Sequence, residues 1–180
     1  MRVISGKYRG KKLLCPEGLK TRPTTDRVKE AMFGAIQFNI LNANVLDLFA
    51  GTGALGIEAL SRRAKSCVFV EKDRMSVDAL NKNLEKIEDD YKIIACDYLS
   101  ALSSLNSEKF DLVFLDPPYE AGFYKNAMEF LFENDMIEKD GIVVVETLTG
   151  MDTKIRDTFS LYKEKKYGGI SLEFYKKEEK

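Results

Sequence analysis

Val45-Leu46-Asp47-Leu48-Phe49-Ala50-Gly51-Thr52-Gly53-Ala54-Leu55-Gly56 reads as a buried strand running through a glycine turn into a helix. Glycines at such a turn allow left-handed backbone and let a ligand come close to the chain. Gly51, Gly53 and Gly56 satisfy G-x-G-x-x-G, and Glu71 stands 20 residues beyond Gly51, at the end of the next apolar run. A carboxylate there is placed to accept from both hydroxyls of a ribose. Dinucleotide and S-adenosylmethionine (SAM) sites share this pattern, so the turn alone leaves both open. Asp47 helps to choose. A carboxylate four residues before Gly51 repels a pyrophosphate and suits a ligand bearing an ammonium and a sulfonium. No Lys or Arg stands in the turn to neutralise phosphate.

Outward from this turn, short runs rich in Val, Ile and Phe alternate with helix-length amphipathic stretches, which marks a parallel α/β sheet. The expected strands are Val45–Phe49, Cys67–Glu71, Lys92–Cys96, Phe110–Asp116 and Ile142–Glu146, each nearly continuous in apolar character as two-sided burial requires. The expected helices are Ala54–Ser61, Met75–Ile87 (capped by Asp73), Phe123–Phe132 and Asp152–Thr158. Leu161–Tyr167 and Ile170–Lys176, joined by Gly168-Gly169, read as an antiparallel hairpin closing the sheet. Ahead of the core, Arg2–Ser5 and Lys11–Cys15 read as a small basic hairpin, and Thr25–Ile40 as a leading helix capped near Thr25 or Asp26. The fold class is α/β: a doubly wound, mostly parallel, seven-stranded Rossmann-like sheet. Residues 1–40 are expected to form a basic extension and 41–180 the main domain.

Composition narrows the chemistry. At 180 residues and 44% hydrophobic content, the chain suffices for one domain with its own core. There is no histidine, which excludes Ser-His-Asp hydrolysis and ordinary zinc catalysis, and no metal is expected. Cys15, Cys67 and Cys96 are an odd number without C-x-x-C spacing, fitting reduced thiols in a cytoplasmic protein. Met1–Lys7 holds no apolar signal core and no run is long enough to cross a bilayer, so neither export nor a membrane partner is expected. The net charge of −1 hides an asymmetry: residues 1–30 hold nine Lys/Arg and three acids, a net +6 against −7 for the rest. A basic arm on an acidic body fits a polyanion partner; it equally fits a solvated, lysine-decorated surface.

Phe110-Asp111-Leu112-Val113-Phe114-Leu115-Asp116-Pro117-Pro118-Tyr119 ends the fourth strand beside the switch point where ligands collect in open sheets. Two prolines fix φ and remove two donors, leaving a stiff turn that displays oxygens. Asp116 adds an acceptor and Tyr119 a flat face. Acceptors without donors beside an aromatic plate are what the exocyclic amine of a nucleobase requires. That amine is a poor nucleophile because its lone pair is delocalised into the ring. Hydrogen bonds from its protons to Asp116 and the Pro117 carbonyl draw the pair out of conjugation, and stacking on Tyr119 contributes about 1–3 kcal/mol. The same residues also fit a rigid Pro-Pro turn with a core tyrosine. Asp97, after the third strand, could accept from an adenine amine or simply cap a turn.

Asp47–Gly53 with Glu71 resembles the SAM site of class I methyltransferases, and Asp116–Tyr119 the D/N-P-P-Y/F signature of their amino-methylating branch. Met1-Arg2-Val3-Ile4-Ser5-Gly6 and Thr21-Arg22-Pro23-Thr24-Thr25-Asp26-Arg27-Val28-Lys29-Glu30 narrow the resemblance to the RsmD family of bacterial 16S rRNA guanine-N2 methyltransferases. The similarity covers nearly the whole chain and weakens towards the C-terminus. It implies SAM as cofactor, bound by Asp47, Phe49, Gly51, Thr52, Gly53, Leu55, Glu71, Lys72, Asp97 and Tyr98. It implies catalysis at Asp116, Pro117, Pro118 and Tyr119, and RNA contacts from Arg2, Lys7, Arg9, Lys11, Arg22, Pro23, Thr24 and Arg27. The implied substrate is one guanine, that at position 966 of 16S rRNA, in an assembled or nearly assembled 30S subunit, and the implied state is a monomer. Three rivals remain: a DNA adenine-N6 methyltransferase using the same four-residue motif, an NAD-binding oxidoreductase built on Gly51–Gly56, and an RNA-binding assembly factor without chemistry.

Overall fold

Each apolar run of the central sequence forms a strand, and the intervening helices carry the chain back so that successive strands lie parallel. The computed structural model describes residues 1–16, 26–118, 121–153, 155–156 and 159–176. Seven strands, β1 (Asn44–Asp47), β2 (Ser66–Val70), β3 (Asp90–Ile94), β4 (Phe110–Leu115), β5 (Ile137–Leu148), β6 (Leu161–Tyr167) and β7 (Ile170–Lys176), make one sheet in the order β3-β2-β1-β4-β5-β7-β6. The first five are mutually parallel, and β7 runs antiparallel to both β5 and β6. The doubly wound sheet with its C-terminal hairpin is therefore present, and the hairpin strands have the expected bounds.

Two layers cover the sheet. One face packs against α1 (Asp26–Ala35), α2 (Ala54–Ser61), α3 (Arg74–Leu84) and the N-terminal residues through Val3, Phe33, Leu60, Leu80 and Phe114. The other packs against α4 (Tyr98–Ser104) and α5 (Ala121–Glu133) through Leu115, Ala101, Met128 and Val145. Strand order reverses between β1 and β4, so the C-terminal ends of those two strands flank the crevice where such sheets bind ligands.

Several expectations are corrected. Helix α4 follows β3 where no helix was expected: its seven residues, YLSALSS, are rich in serine, and Asp97 caps it by accepting from the Leu99 N–H at 3.0 Å. Conversely, no described residue of 152–158 is helical; the Thr153 hydroxyl accepts from the Ile155 N–H at 3.4 Å, a side-chain bond that competes with helix. The leading helix stops at Ala35 and tightens into a 3₁₀ turn at Gln37–Asn39, which buries both Ile36 and Ile40; the cap position Thr25 lies outside the described residues. β5 starts five residues early, at Ile137, across a bulge between Phe110 and Leu112. Gly141 makes that possible, since a Cβ there would lie 2.7 Å from Ile137 and 3.0 Å from the Phe110 carbonyl. The basic N-terminal hairpin is reduced to a single bridge, Arg2 to Lys12, with the Val3 N–H donating to the Lys11 carbonyl at 2.9 Å.

Candidate active site

The glycine turn carries three different demands. Gly51 (φ +54°) has nothing within 4 Å of a would-be Cβ, so it faces open space at the crevice. Gly53 (φ +85°) caps α2, and a Cβ on it would lie 2.4 Å from Leu80. A Cβ on Gly56 would lie 2.2 Å from the Phe69 ring and 2.7 Å from the Cys67 sulfur, so this glycine seats α2 on β2. Only Gly51 presents bare backbone to a ligand. Thr52 is buried, and Leu55 is 6% exposed within the core beneath the turn, so its side chain packs rather than faces the crevice.

Glu71 ends β2 beside this turn. One carboxylate oxygen accepts from the Gly51 N–H at 2.8 Å and the other from the Lys72 and Asp73 N–H groups, each at 2.8 Å. Three backbone donors thus fix the carboxylate against the glycine turn, and the oxygen that meets Gly51 retains accepting capacity. Asp47 lies on the neighbouring strand, 2% exposed, accepting from the Gly56 N–H at 2.9 Å. That N–H belongs to the first turn of α2, where amides lack intrahelical partners. Burial outweighs the bond and pushes the Asp47 carboxyl up to about 7, with the charge of Glu71 adding to the rise. A cation beside it would restore the ionised form.

Across the switch point, the Leu48 N–H donates to the Phe114 carbonyl at 3.1 Å, which sets Asp116 one strand from the glycine turn. Register pairs Leu115 with Val145, so Asp116 stands beside Glu146, which is 3% exposed. Burial, then the charges of Glu146 and Asp47, push the Asp116 carboxyl well above the usual carboxylate range. Pro117 is buried and Pro118 exposed, while Tyr119 lies outside the described residues. Glu146 was missed in the sequence reading, although an acid ending an otherwise apolar strand is the signal that points to it.

On the opposite face of the crevice, Phe49, Tyr98 and Phe123 form a ring cluster, with centroids 5.2 Å (Phe49–Tyr98), 5.9 Å (Phe49–Phe123) and 5.6 Å (Tyr98–Phe123) apart. Lys72 Nζ lies 5.9 Å from the Phe123 ring centroid. Phe123, in the first turn of α5, was also missed; its place in an amphipathic helix hid it. Asp97 serves as the α4 cap described above, the second of its two expected roles.

The basic arm divides. Lys7 pairs with Asp89, Lys11 donates to the Glu85 carbonyl at 2.8 Å, and Arg2 pairs with Asp26 at 3.1 Å. Lys7 and Lys11 therefore fasten the arm to the end of α3 and the loop after it, so each of these two expected RNA contacts already has a partner within the chain. Arg9 and Arg27 are exposed, and Arg22, Pro23 and Thr24 lie outside the described residues. Among the described residues no helix is long and apolar enough to cross a membrane, and no His/Cys/Asp/Glu group could hold a metal ion.

The family model described as "Conserved hypothetical protein 95" matches residues 1–176. The "Ribosomal RNA small subunit methyltransferase D" of Haemophilus influenzae is 38% identical, covering 97% of this chain and 93% of that protein. Its Escherichia coli counterpart of the same name is 34% identical over 99% and 90%. Among solved structures, the Escherichia coli protein yhhF superposes with a TM-score of 0.87 at 35% identity, covering 99% of this chain and 98% of that one. An RNA methyltransferase of Salinibacter ruber in complex with S-adenosyl-L-homocysteine shares the fold at 18% identity, with a TM-score of 0.69 and coverage of 86% and 93%.

Proposed function

The chain belongs to the Conserved hypothetical protein 95 family, the RsmD group, and from that premise we propose that it transfers a methyl group from SAM to the exocyclic N2 of one guanine in 16S rRNA. The observation that carries this reading is the placement of Asp116 and Pro117 at the end of β4, one strand from the glycine turn. Residues 41–180 are the methyltransferase domain in this reading, and residues 1–40 the extension that meets RNA.

The residues suit SAM. Gly51 is open to a ligand, Glu71 is fixed as a ribose acceptor, and Asp47 is a desolvated carboxylate that a cation would relieve. When bound, the cofactor supplies an electrophilic methyl carbon on a sulfonium. Asp116 and the Pro117 carbonyl hold the two amine protons of the target base and aim its lone pair. Asp116 also stabilises the positive charge that develops on nitrogen. Rigid placement of the acceptors contributes the rest. The base leaves the stack in a single-stranded loop, where unstacking costs least.

The deciding experiment maps methylated guanines in rRNA from cells with and without this gene, alongside labelled-methyl transfer to 30S subunits, naked 16S rRNA and duplex DNA. One N2-methylguanine, expected at position 966, should vanish from 16S rRNA with the gene. Transfer to adenine in duplex DNA would support the DNA-enzyme rival instead.

Two further results are expected. SAM affinity should rise roughly tenfold between pH 6 and 8 with proton release, because a carboxyl near 7 must ionise to meet the cation. Calorimetry in buffers of different ionisation enthalpy measures this, and Asp47→Asn should flatten the profile. Gly51→Ala should weaken SAM binding by an order of magnitude or more and also cost about 1–2 kcal/mol of stability, since a side chain is strained at φ +54° even with open space around it. Gly56→Ala should lose about 1–3 kcal/mol of stability by overpacking against Phe69 and Cys67.

A further inference from the structure

We propose that Asn83 is a positioning residue that ties the N-terminal arm to the cofactor turn, so that cofactor and RNA bind cooperatively; this rests on the reading above. Asn83 sits on the inner face of α3 and is 2% exposed. Its amide nitrogen donates to the Thr52 carbonyl at 2.9 Å and to the Leu14 carbonyl at 3.0 Å, and its oxygen accepts from the Leu14 N–H at 2.7 Å. One side chain therefore satisfies both backbone groups of Leu14 and, with its remaining donor, reaches the residue between Gly51 and Gly53. It acts as the strand partner that the arm, with its single bridge, lacks.

Packing alone does not call for this residue. A leucine would fill the same inner face of α3 and favours helix more. What asparagine adds is a two-way amide linkage between two segments that do not otherwise belong to α3. Leu80, one turn earlier, fills the space against Gly53, so this stretch of α3 is seated on the turn. The other flank of residues 17–25 is held in parallel fashion. Lys29 donates to the Arg2 carbonyl at 2.6 Å and pairs at 3.3 Å with Glu58 on α2, the helix that starts at the same turn. A cofactor that fixes Thr52 thus also fixes Leu14, and an RNA that fixes the arm steadies the turn. Each ligand lowers the ordering cost left for the other, and the coupling must be reciprocal.

The test is equilibrium dialysis of labelled S-adenosylhomocysteine, with and without saturating 30S subunits purified from cells lacking the gene. For the wild type, the subunits should lower Kd at least about fivefold, within the usual range of coupling. For Asn83→Leu, Kd without subunits should stay within about threefold of wild type, and the coupling should fall below about twofold. A purely structural role would lower the melting temperature and both affinities while leaving the ratio unchanged. If the leucine variant does not fold, Asn83→Asp, equal in shape but without donors for the two carbonyls, gives the same reading. Equal coupling in variant and wild type, or none in a wild type that methylates the subunits, overturns this inference alone. A wild type that neither binds nor methylates the subunits overturns the parent reading and this one with it.

Discussion

Asp116→Ala lowers methyl transfer to 16S rRNA by at least about a thousandfold, while SAM affinity stays within a few-fold of wild type. The size follows from the role proposed for the carboxylate: accepting from the target amine and facing the positive charge that forms on nitrogen, a term present only in the transition state. Removing one preorganised group of this kind typically costs 10²–10³ in rate. Loss of lone-pair alignment at the amine adds to that. The effect on SAM is small because the groups that fit it, Glu71 and the bare Gly51 backbone, belong to the β1–β2 side of the crevice. Asp116→Asn separates charge from acceptance. It keeps an acceptor oxygen and retains part of the rate, and it flattens the pH dependence that burial and Glu146 impose on the native carboxyl. Single-turnover transfer from labelled SAM measures the rate, and calorimetry the affinity. A variant that loses SAM binding in step with activity would move Asp116 from the amine to the cofactor.

The architecture was legible wherever burial alone decided it. β1, β2 and β4 are apolar on both faces because helices cover both, and Gly168-Gly169 marked the hairpin turn to the residue. Errors fell where local chemistry ran against composition. Serines at 100, 103 and 104 resemble a loop, yet Asp97 at the cap position and the buried Ala101 and Leu102 make α4. β5 begins in the polar stretch Glu138-Lys139-Asp140, which no apolar pattern marks, and a bulge at Gly141 lets it join the ladder.

At the site, the motif residues were readable because each is a special backbone position or a carboxylate at a strand end. Register was not readable. It took the pairing of Leu115 with Val145 to bring Glu146 beside Asp116, and that neighbour, with burial, lifts the Asp116 carboxyl. The partners within the arm were unreadable for a related reason: charge counts treat every lysine alike, whereas Lys7 faces Asp89 and Lys11 the Glu85 carbonyl just past α3.

Glu58→Ala costs about 3–5 kcal/mol of stability. The carboxylate is fully buried and meets four groups: the Ile4 N–H at 2.7 Å, the Ser5 N–H at 3.0 Å, the Arg62 guanidinium at 2.8 Å, and the Lys29 ammonium at 3.3 Å as an ion pair, with Lys29 itself enclosed to the same degree. Truncation strands two backbone donors and leaves a buried ammonium held only by the Arg2 carbonyl. Glu58→Gln keeps an acceptor for the backbone and so loses less. Its pH profile identifies the cause. Burial already lowers the Lys29 ammonium from its usual value, and Glu58 opposes that fall. Without the carboxylate the value falls further, so the unfolded chain binds more protons than the folded one over a wider range below about 10. Stability of Glu58→Gln should therefore rise from pH 7 to 9 relative to wild type. Thermal unfolding at the two pH values reads this directly, and a parallel shift of both proteins would assign the loss to the one backbone amide, of Ile4 or Ser5, that glutamine leaves without an acceptor.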